Sequence, residues 1–395
     1  MGRVVAAAVV LVALSAAAAV EEGSPLCSFR VTSLVALSLD VYPMLMNGKG
    51  LDFLDHRVSN GQNVLLVRSW ADRTVYTSRD MGRSWRPLPN SAGRRWYKGF
   101  VTEEGNVLLW DEKQMELVDP KGNVLGTQPD TPRAWHGSWG IGQSGKTILW
   151  AEYGVAEATE LRVFRSPDGG RTWGEAFRQR TNFSAAPQIR HFHVVQPDPY
   201  RPGCWYLASG DTPEQSKVWL SKDDGRTWAE VTDPAVMGTA RQRLHRFTTV
   251  VFTKDYLYWA TDDLMEGRKA AVVRTKRSEP LHLEMMGQVG SEAIRNLTAT
   301  PYGLVAISEA KKGGAGVNVF LFTPEARVVP VGTIARAPGG PSQTGFTYSL
   351  GSKEAVEDTF FTYAEGTAIG VRSNALLWRL RPSGKAGADR PPPPG

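Results

Sequence analysis

The residues best suited to chemistry in this chain recur at one spacing. Trp135-His136-Gly137 is followed by Glu152-Tyr153-Gly154, the glutamate sixteen residues after the imidazole. His191-Phe192-His193 is followed by Gly210-Asp211, the aspartate eighteen residues after His193. His245-Arg246 is followed by Thr261-Asp262-Asp263, with Asp262 sixteen residues after Arg246. A short apolar run lies between the partners each time, at 147–151, 205–209 and 256–260. A basic or imidazole residue would then open one strand and an acidic residue close the next at the same edge, so that His136, Glu152, His193, Asp211, Arg246 and Asp262 converge. Arg295 with Glu309, and Tyr348, Tyr363 and Glu365, repeat the pattern more faintly.

These residue types describe acid–base work on an anionic substrate. An imidazole accepts a proton near neutral pH, and a phenol such as Tyr153 can donate one. Arg246 or Arg241 would neutralise a substrate carboxylate. His136, Tyr153, His193 and Arg246 are therefore the candidate catalytic residues, and Glu152, Asp211, Arg241 and Asp262 the candidate substrate-binding ones. Together they fit β-elimination on a uronic-acid polymer, while Glu152 and Asp211 keep a two-carboxylate hydrolysis open. His136 with His191 or His193, and Asp211 or Glu152, also offers ligand types for zinc or another divalent ion. Of the i, i+2 pair His191/His193, however, only one imidazole is expected to reach the centre, so no metal or other cofactor is assigned. The plainer alternative is that such residues only tie neighbouring units together through hydrogen bonds and trapped water.

The elements that must position them announce themselves through a repeat. Ser78-Arg79-Asp80-Met81-Gly82-Arg83-Ser84-Trp85, Ser166-Pro167-Asp168-Gly169-Gly170-Arg171-Thr172-Trp173 and Ser221-Lys222-Asp223-Asp224-Gly225-Arg226-Thr227-Trp228 share the pattern S-x-D-x-G-R-[ST]-W. Each follows a strand-like run. The chemistry is that of a tight hairpin: the aspartate accepts backbone N–H groups of its own turn, and the glycine supplies a backbone angle other residues resist. The tryptophan is expected to lie largely buried against the next layer of core. Repetition of this kind implies stacked, self-similar units.

This pattern resembles the Asp-box, or BNR repeat, of the sialidase-like β-propellers. The resemblance implies an outer-hairpin, structural role for Asp80, Trp85, Asp168, Trp173, Asp223 and Trp228, and a superfamily inclined towards carbohydrate ligands. The catalytic set of a sialidase is not recognisable. The arginine motif that family carries ahead of its first box is approached only by Phe29-Arg30-Val31-Thr32, which lacks its proline. Classical exo-sialidase activity is therefore not expected. The expected function is binding, with or without lyase- or hydrolase-type cleavage, of an acidic glycan in a central funnel; the alternative is a non-catalytic module that binds protein or glycan.

Turn signals partition the chain into units at 50–92, 94–130, 134–180, 189–236, 243–288, 293–332 and 343–382, each the length of a four-stranded blade. The expected fold is all-β, a single propeller over 50–382 with seven blades, six being the alternative. Residues 20–49 would supply a closing strand or a plug, and the Pro/Gly-rich 383–395 a disordered tail. Residues 1–19 read as a secretory signal: Arg3, an apolar stretch over 4–14, and Ala17-Ala18-Ala19 as a cleavage site. That stretch is too short for a membrane span, so a secreted, periplasmic or extracellular protein is expected, with carbohydrate as its partner. The net charge of +6 is scattered over loops and box arginines, without the basic helix or aromatic–basic ladder that nucleic acid would call for. A monomer that binds an anionic carbohydrate is the expectation. Export would permit a disulfide between Cys27 and Cys204, and Asn182-Phe183-Ser184 and Asn296-Leu297-Thr298 fit the glycosylation acceptor pattern.

Overall fold

Seven antiparallel sheets, arranged as the blades of one propeller, make up the computed structural model. It describes residues 27–31, 37–47, 49–129, 139–153, 160–181, 189–262, 269–289, 293–308, 316–323, 327–335, 353, 359–363 and 375–382. The one helical element that lies wholly among them is the short 3-10 helix Ala240–His245. In the first blade the strands run Lys49–Ser59, Gln62–Ser69, Val75–Ser78 and Arg86–Pro87, with the short Leu45–Met46 added beside the innermost. The fourth blade, which carries the box of residues 221–228, runs Phe192–Pro197, Trp205–Ser209, Val218–Ser221 and Ala229–Glu230. The seventh is assembled from both ends of the described chain: Thr359–Tyr363 and Ala375–Pro382, then Leu37–Pro43 and Cys27–Val31.

The strand sequences explain this arrangement. Strands buried on both faces read as unbroken apolar runs rather than as alternating ones. In Trp205–Ser209 the residues Trp205 and Leu207 pack towards the third blade, while Tyr206 and Ala208 pack towards the fifth. One hydrophobic cluster lies at each junction between neighbouring blades, the last joining Leu51, Phe53 and Leu65 of the first blade to Phe361 and Leu377 of the seventh. That contact closes the ring, so no sheet face is left for water. The innermost strands of successive blades touch around the axis, and the outermost are exposed, as in Ala229–Glu230.

The three S-x-D-x-G-R-[ST]-W segments form the same turn. Ser221 Oγ donates to Asp223 Oδ1 (2.8 Å), and the N–H of Thr227 and of Arg226 donate to the same oxygen (2.9 and 3.1 Å). The Thr227 hydroxyl donates to Asp223 Oδ2 (2.7 Å), and the Gly225 N–H to Ser221 Oγ (2.9 Å). The bonds at Asp168 and Asp80 follow the same scheme. Although its desolvation acts the other way, these donors lower the pKa of Asp223 to about 2. Gly225 has a φ of +78°, and a Cβ there would stand 2.5 Å from the Leu149 side chain of the preceding blade. The position thus demands glycine twice over, for angle and for space.

Two expectations are corrected at this level. Trp85, Trp173 and Trp228 are half-buried rather than largely buried; each lies over the junction with the preceding blade instead of within it. Asn296 is fully buried, and its amide donates to Thr298 Oγ1 (2.9 Å), so the second acceptor sequence has no accessible side chain to modify. Asn182 lies outside the described residues. Cys204 is a half-buried free thiol.

Candidate functional site at one end of the channel

Alternation of strand direction fixes where the polar residues gather. Innermost strands begin, and second strands end, at one rim of the propeller. His191 precedes the innermost strand Phe192–Pro197, Arg246 precedes Phe247–Phe252, and Arg295 lies at the start of Ile294–Thr300. Tyr153 follows the second strand Thr147–Ala151, Asp211 follows Trp205–Ser209, and Asp262 follows Leu257–Thr261.

At that rim an alternating set of charges has formed. Arg246 Nη2 donates to Asp211 Oδ1 (2.8 Å) and lies 3.2 Å from Asp262 Oδ2. Arg295 Nη1 reaches the same Asp262 oxygen (3.1 Å), and Arg190 Nη1 and His191 Nε2 both lie 3.2 Å from Asp211 Oδ2. Tyr153 stacks on the His191 ring with centroids 4.2 Å apart, and His191 stands 4.7 Å from His193. Arg246 is placed by the short 3-10 turn before it, which is capped by the Thr239 side chain and accepts the Arg246 N–H at Arg243 O. All of these side chains are buried except Tyr153 and Arg190, which reach solvent.

The electrostatics favour an anion. Three guanidiniums meet two carboxylates, and the carboxylates are held ionised. Burial alone would raise the pKa of Asp211, but the His191 hydrogen bond and the charges around it push it well below the usual range. Asp262 is lowered in the same way, by Arg295 and Arg246 against its desolvation. Arg246 Nε and Nη1, His191 Nδ1 and Asp262 Oδ1 are buried with no hydrogen-bond partner among the described residues. Buried donors are normally paired, so these mark where a polar ligand would be held.

His193 has a double character. Innermost strands carry a β-bulge at this rim, and the residue left out of the ladder is Leu54, His193, Thr248 or Arg295. A bulge re-aims its extra side chain. His193 Nδ1 faces Phe247 O of the next blade at 2.9 Å, and Thr248 Oγ1 donates to Ile294 O, the matching atom one blade further on. The Nδ1–H is therefore an inter-blade tie. Burial first, and then the neighbouring His191, lower the His193 pKa to about 3. The ring is neutral at physiological pH, which suits a hydrogen-bonding imidazole and not an acid that delivers a proton there.

Of the residues singled out by spacing, the structure brings Tyr153, His193, Asp211, Arg246 and Asp262 together. Glu152 is fully buried and committed to Arg162, which donates to it from its backbone N (2.9 Å), Nε (3.1 Å) and Nη2 (2.8 Å). Arg241 is exposed on the 3-10 turn and makes no side-chain contact with the cluster among the described residues. His136, Glu309, Tyr348 and Glu365 lie outside those residues. His191 joins the cluster although only one of the His pair was expected to, and Arg295 does so in strength. Arg190 had no signal, since nothing in the repeat spacing points to it.

His191, His193 and Asp211 place one ligand atom each within 4.8 Å of one another, a set of types that could hold a divalent ion. The surroundings fit such an ion poorly: Arg190 and Arg246 already contact the Asp211 carboxylate, and Arg295 stands one residue away on Asp262. Further hydrogen bonds tie the inner strands of the third, fourth and fifth blades together. The Trp139 indole donates to Val250 O two blades on (3.0 Å), Gln196 Nε2 donates to Trp139 O (2.8 Å), and Lys353 Nζ reaches Gln196 Oε1.

The sequence matches no protein-family model and no curated protein. Its fold does match solved structures. An oligogalacturonate lyase in complex with manganese is similar with a TM-score of 0.60 at 11% identity, covering 90% of this chain and 98% of that one. The virginiamycin B lyase of Staphylococcus aureus gives 0.53 at 12% identity, covering 87% and 99%. YCF48 from Cyanidioschyzon merolae gives 0.53 at 11%, covering 87% and 99%. At such identities the likeness establishes a shared propeller fold.

Proposed function

We propose that this chain is an exported, Asp-box-type propeller that binds a carboxylate-bearing glycan in the recess formed by Arg190, Arg246, Arg295, His191, His193 and Tyr153. The observation that carries the reading is Arg246: a buried guanidinium between two carboxylates, with Nε and Nη1 lacking any protein acceptor among the described residues. The Nε–H and Nη1–H groups lie on opposite edges of the guanidinium, so a substrate carboxylate would take one and a hydroxyl of the same glycan the other, each as a charge-assisted hydrogen bond. Tyr153 offers an aromatic ring at the solvent side on which a sugar can rest. The lyase named in one structural neighbour acts on an oligogalacturonate, an acidic glycan of the kind this recess would take.

If the site also cleaves, β-elimination is the reaction its residues favour, with the guanidiniums neutralising the uronate carboxylate as charge develops beside it. Glu152, paired with Arg162, is not available for a two-carboxylate hydrolysis. The test is calorimetric titration of polygalacturonate and alginate oligosaccharides into the protein and into Arg246→Ala, with unsaturated products followed by ultraviolet absorbance. Arg246→Ala should weaken binding by about 1.5–3 kcal/mol, the scale of a charge-assisted hydrogen bond, and Arg241→Ala should leave it unchanged. Equal affinities in all three proteins, or no binding of any acidic glycan, would remove the proposal.

A further inference from the structure

The fifth blade breaks the turn rule that the first, third and fourth obey. Third strands end on Ser78, Ser166 and Ser221 in the box-bearing blades, and on Thr275 in the fifth. The registers correspond: Ser221 faces Trp205 and Thr275 faces Leu257, each the first residue of its second strand. Two residues further on, where Asp80, Asp168 and Asp223 stand, the fifth blade has Arg277. The charge at the heart of the turn is inverted.

The inverted residue is firmly held. Arg277 Nε and Nη2 donate to the buried Asp198 of the fourth blade (2.6 and 2.9 Å), Nη1 to Lys254 O (2.7 Å) and Nη2 also to Thr253 O (2.7 Å). Beside it opens a cavity of about 590 Å³, whose lining includes Arg201, Lys254, Lys276, Asp255, Tyr256 and Ser278. Asp198 offsets Arg277, so Arg201, Lys254 and Lys276 face Asp255 as the one acidic group in the lining. The Ser278 hydroxyl is buried with no hydrogen-bond partner among the described residues. A concave site with surplus cations and an unused hydroxyl donor is built for an oxyanion. It lies where innermost strands end, at the rim opposite the Arg246 recess.

We propose that this pocket is a second, independent binding site for the sulfate or carboxylate group of an acidic polysaccharide. The volume suits one or two sugar units, and Tyr256, with Arg274 over its ring at 4.4 Å, borders the cations. A lone tyrosine is not the series of stacking platforms that single-stranded nucleic acid uses. A polysaccharide held here and in the recess would be gripped at both rims.

The test compares heparin and polygalacturonate binding to the wild-type protein, to a Lys254→Glu/Lys276→Glu double variant, and to Arg246→Ala. Both lysines are exposed, so the double variant should fold and melt as the wild type does. Its affinity for whichever polymer carries the recognised group should fall at least about tenfold, since two attractions become repulsions, with a weaker dependence on salt. Arg246→Ala should keep that component of binding. Heparin alone responding assigns sulfate, polygalacturonate alone assigns carboxylate, and both together assign the oxyanion they share. Unchanged affinity in the double variant, binding of neither polymer, or a DNA oligonucleotide that outcompetes both glycans would overturn the proposal. Loss of the recess reading shows instead in Arg246→Ala, and the two failures are separable.

Discussion

In mild acid His245 should work against this fold, and His245→Gln should remove that contribution. His245 is fully buried; its Nε2 accepts the Asp233 N–H at 3.3 Å and its ring meets Phe247 edge-on at 5.6 Å. Burial lowers its pKa to about 4, against the smaller opposing effect of Asp233. The unfolded value is about 6.5. Between the two the unfolded chain binds a proton that the folded chain refuses, so the stabilisation is complete above about 6.5 and declines as pH falls towards the folded value. From pH 7 to pH 5 the loss at this one site is about 2 kcal/mol. His56, at about 4, and His193, at about 3, act in the same direction, which makes up to about 6 kcal/mol against a typical total stability of about 5–15. Asp55 and Glu103 oppose them, because desolvation raises both carboxyls and they gain stability as they protonate. The net slope is therefore a balance, and the difference between two proteins is the cleaner reading. Urea midpoints at pH 7 and pH 5, converted with a common slope, should show a loss about 2 kcal/mol smaller in His245→Gln than in the wild type. The same loss in both proteins would refute the reasoning, since His245 would then be exchanging its proton normally while folded.

The box turns should matter to stability and not to ligand binding: Asp168→Ala, which removes the acceptor of Thr172 N (2.9 Å) and Thr172 Oγ1 (2.6 Å), should cost about 1–2 kcal/mol by thermal melt. The half-buried Trp173 sets a lower figure than a full core truncation, so Trp173→Ala should cost about 2–3 kcal/mol, and a melt unchanged from wild type would make the box decorative. His193→Thr should melt close to the wild type, because a threonine at the bulge can donate to Phe247 O as Thr248 donates to Ile294 O, yet it should bind acidic glycans several-fold more weakly because the imidazole beside Tyr153 and His191 is lost. If His193→Thr binds as the wild type does, calorimetry will have shown His193 to be a tie between blades and nothing more.

What could be read from the sequence and what could not separate along local and non-local lines. The S-x-D-x-G-R-[ST]-W turn is legible because all its bonds close within seven residues, from Ser221 to Thr227. The blades are legible because strands such as Trp205–Ser209 are apolar on both faces, and the seven-blade count follows from their number. A closing strand from residues 20–49 is one of the two roles the sequence suggests, but the register in which Leu37–Pro43 pairs with Ala375–Pro382 leaves no such trace, since it is set by residues from opposite ends of the chain. The recess shows the same division at the scale of single side chains. Spacing found Asp211, Arg246 and Asp262, since each stands where a strand begins or ends and repeats from blade to blade. It misjudged the His pair because a regular strand was assumed, whereas the chain bulges at His193 and sends that ring to the next blade while His191 turns to Asp211. Arg190 enters from outside any strand and obeys no period. Glu152 obeys the period and is still absent from the cluster, because Arg162, on the adjoining strand, claims both its oxygens. Register places a residue at the rim; the partners already present there decide whether it remains available to a ligand.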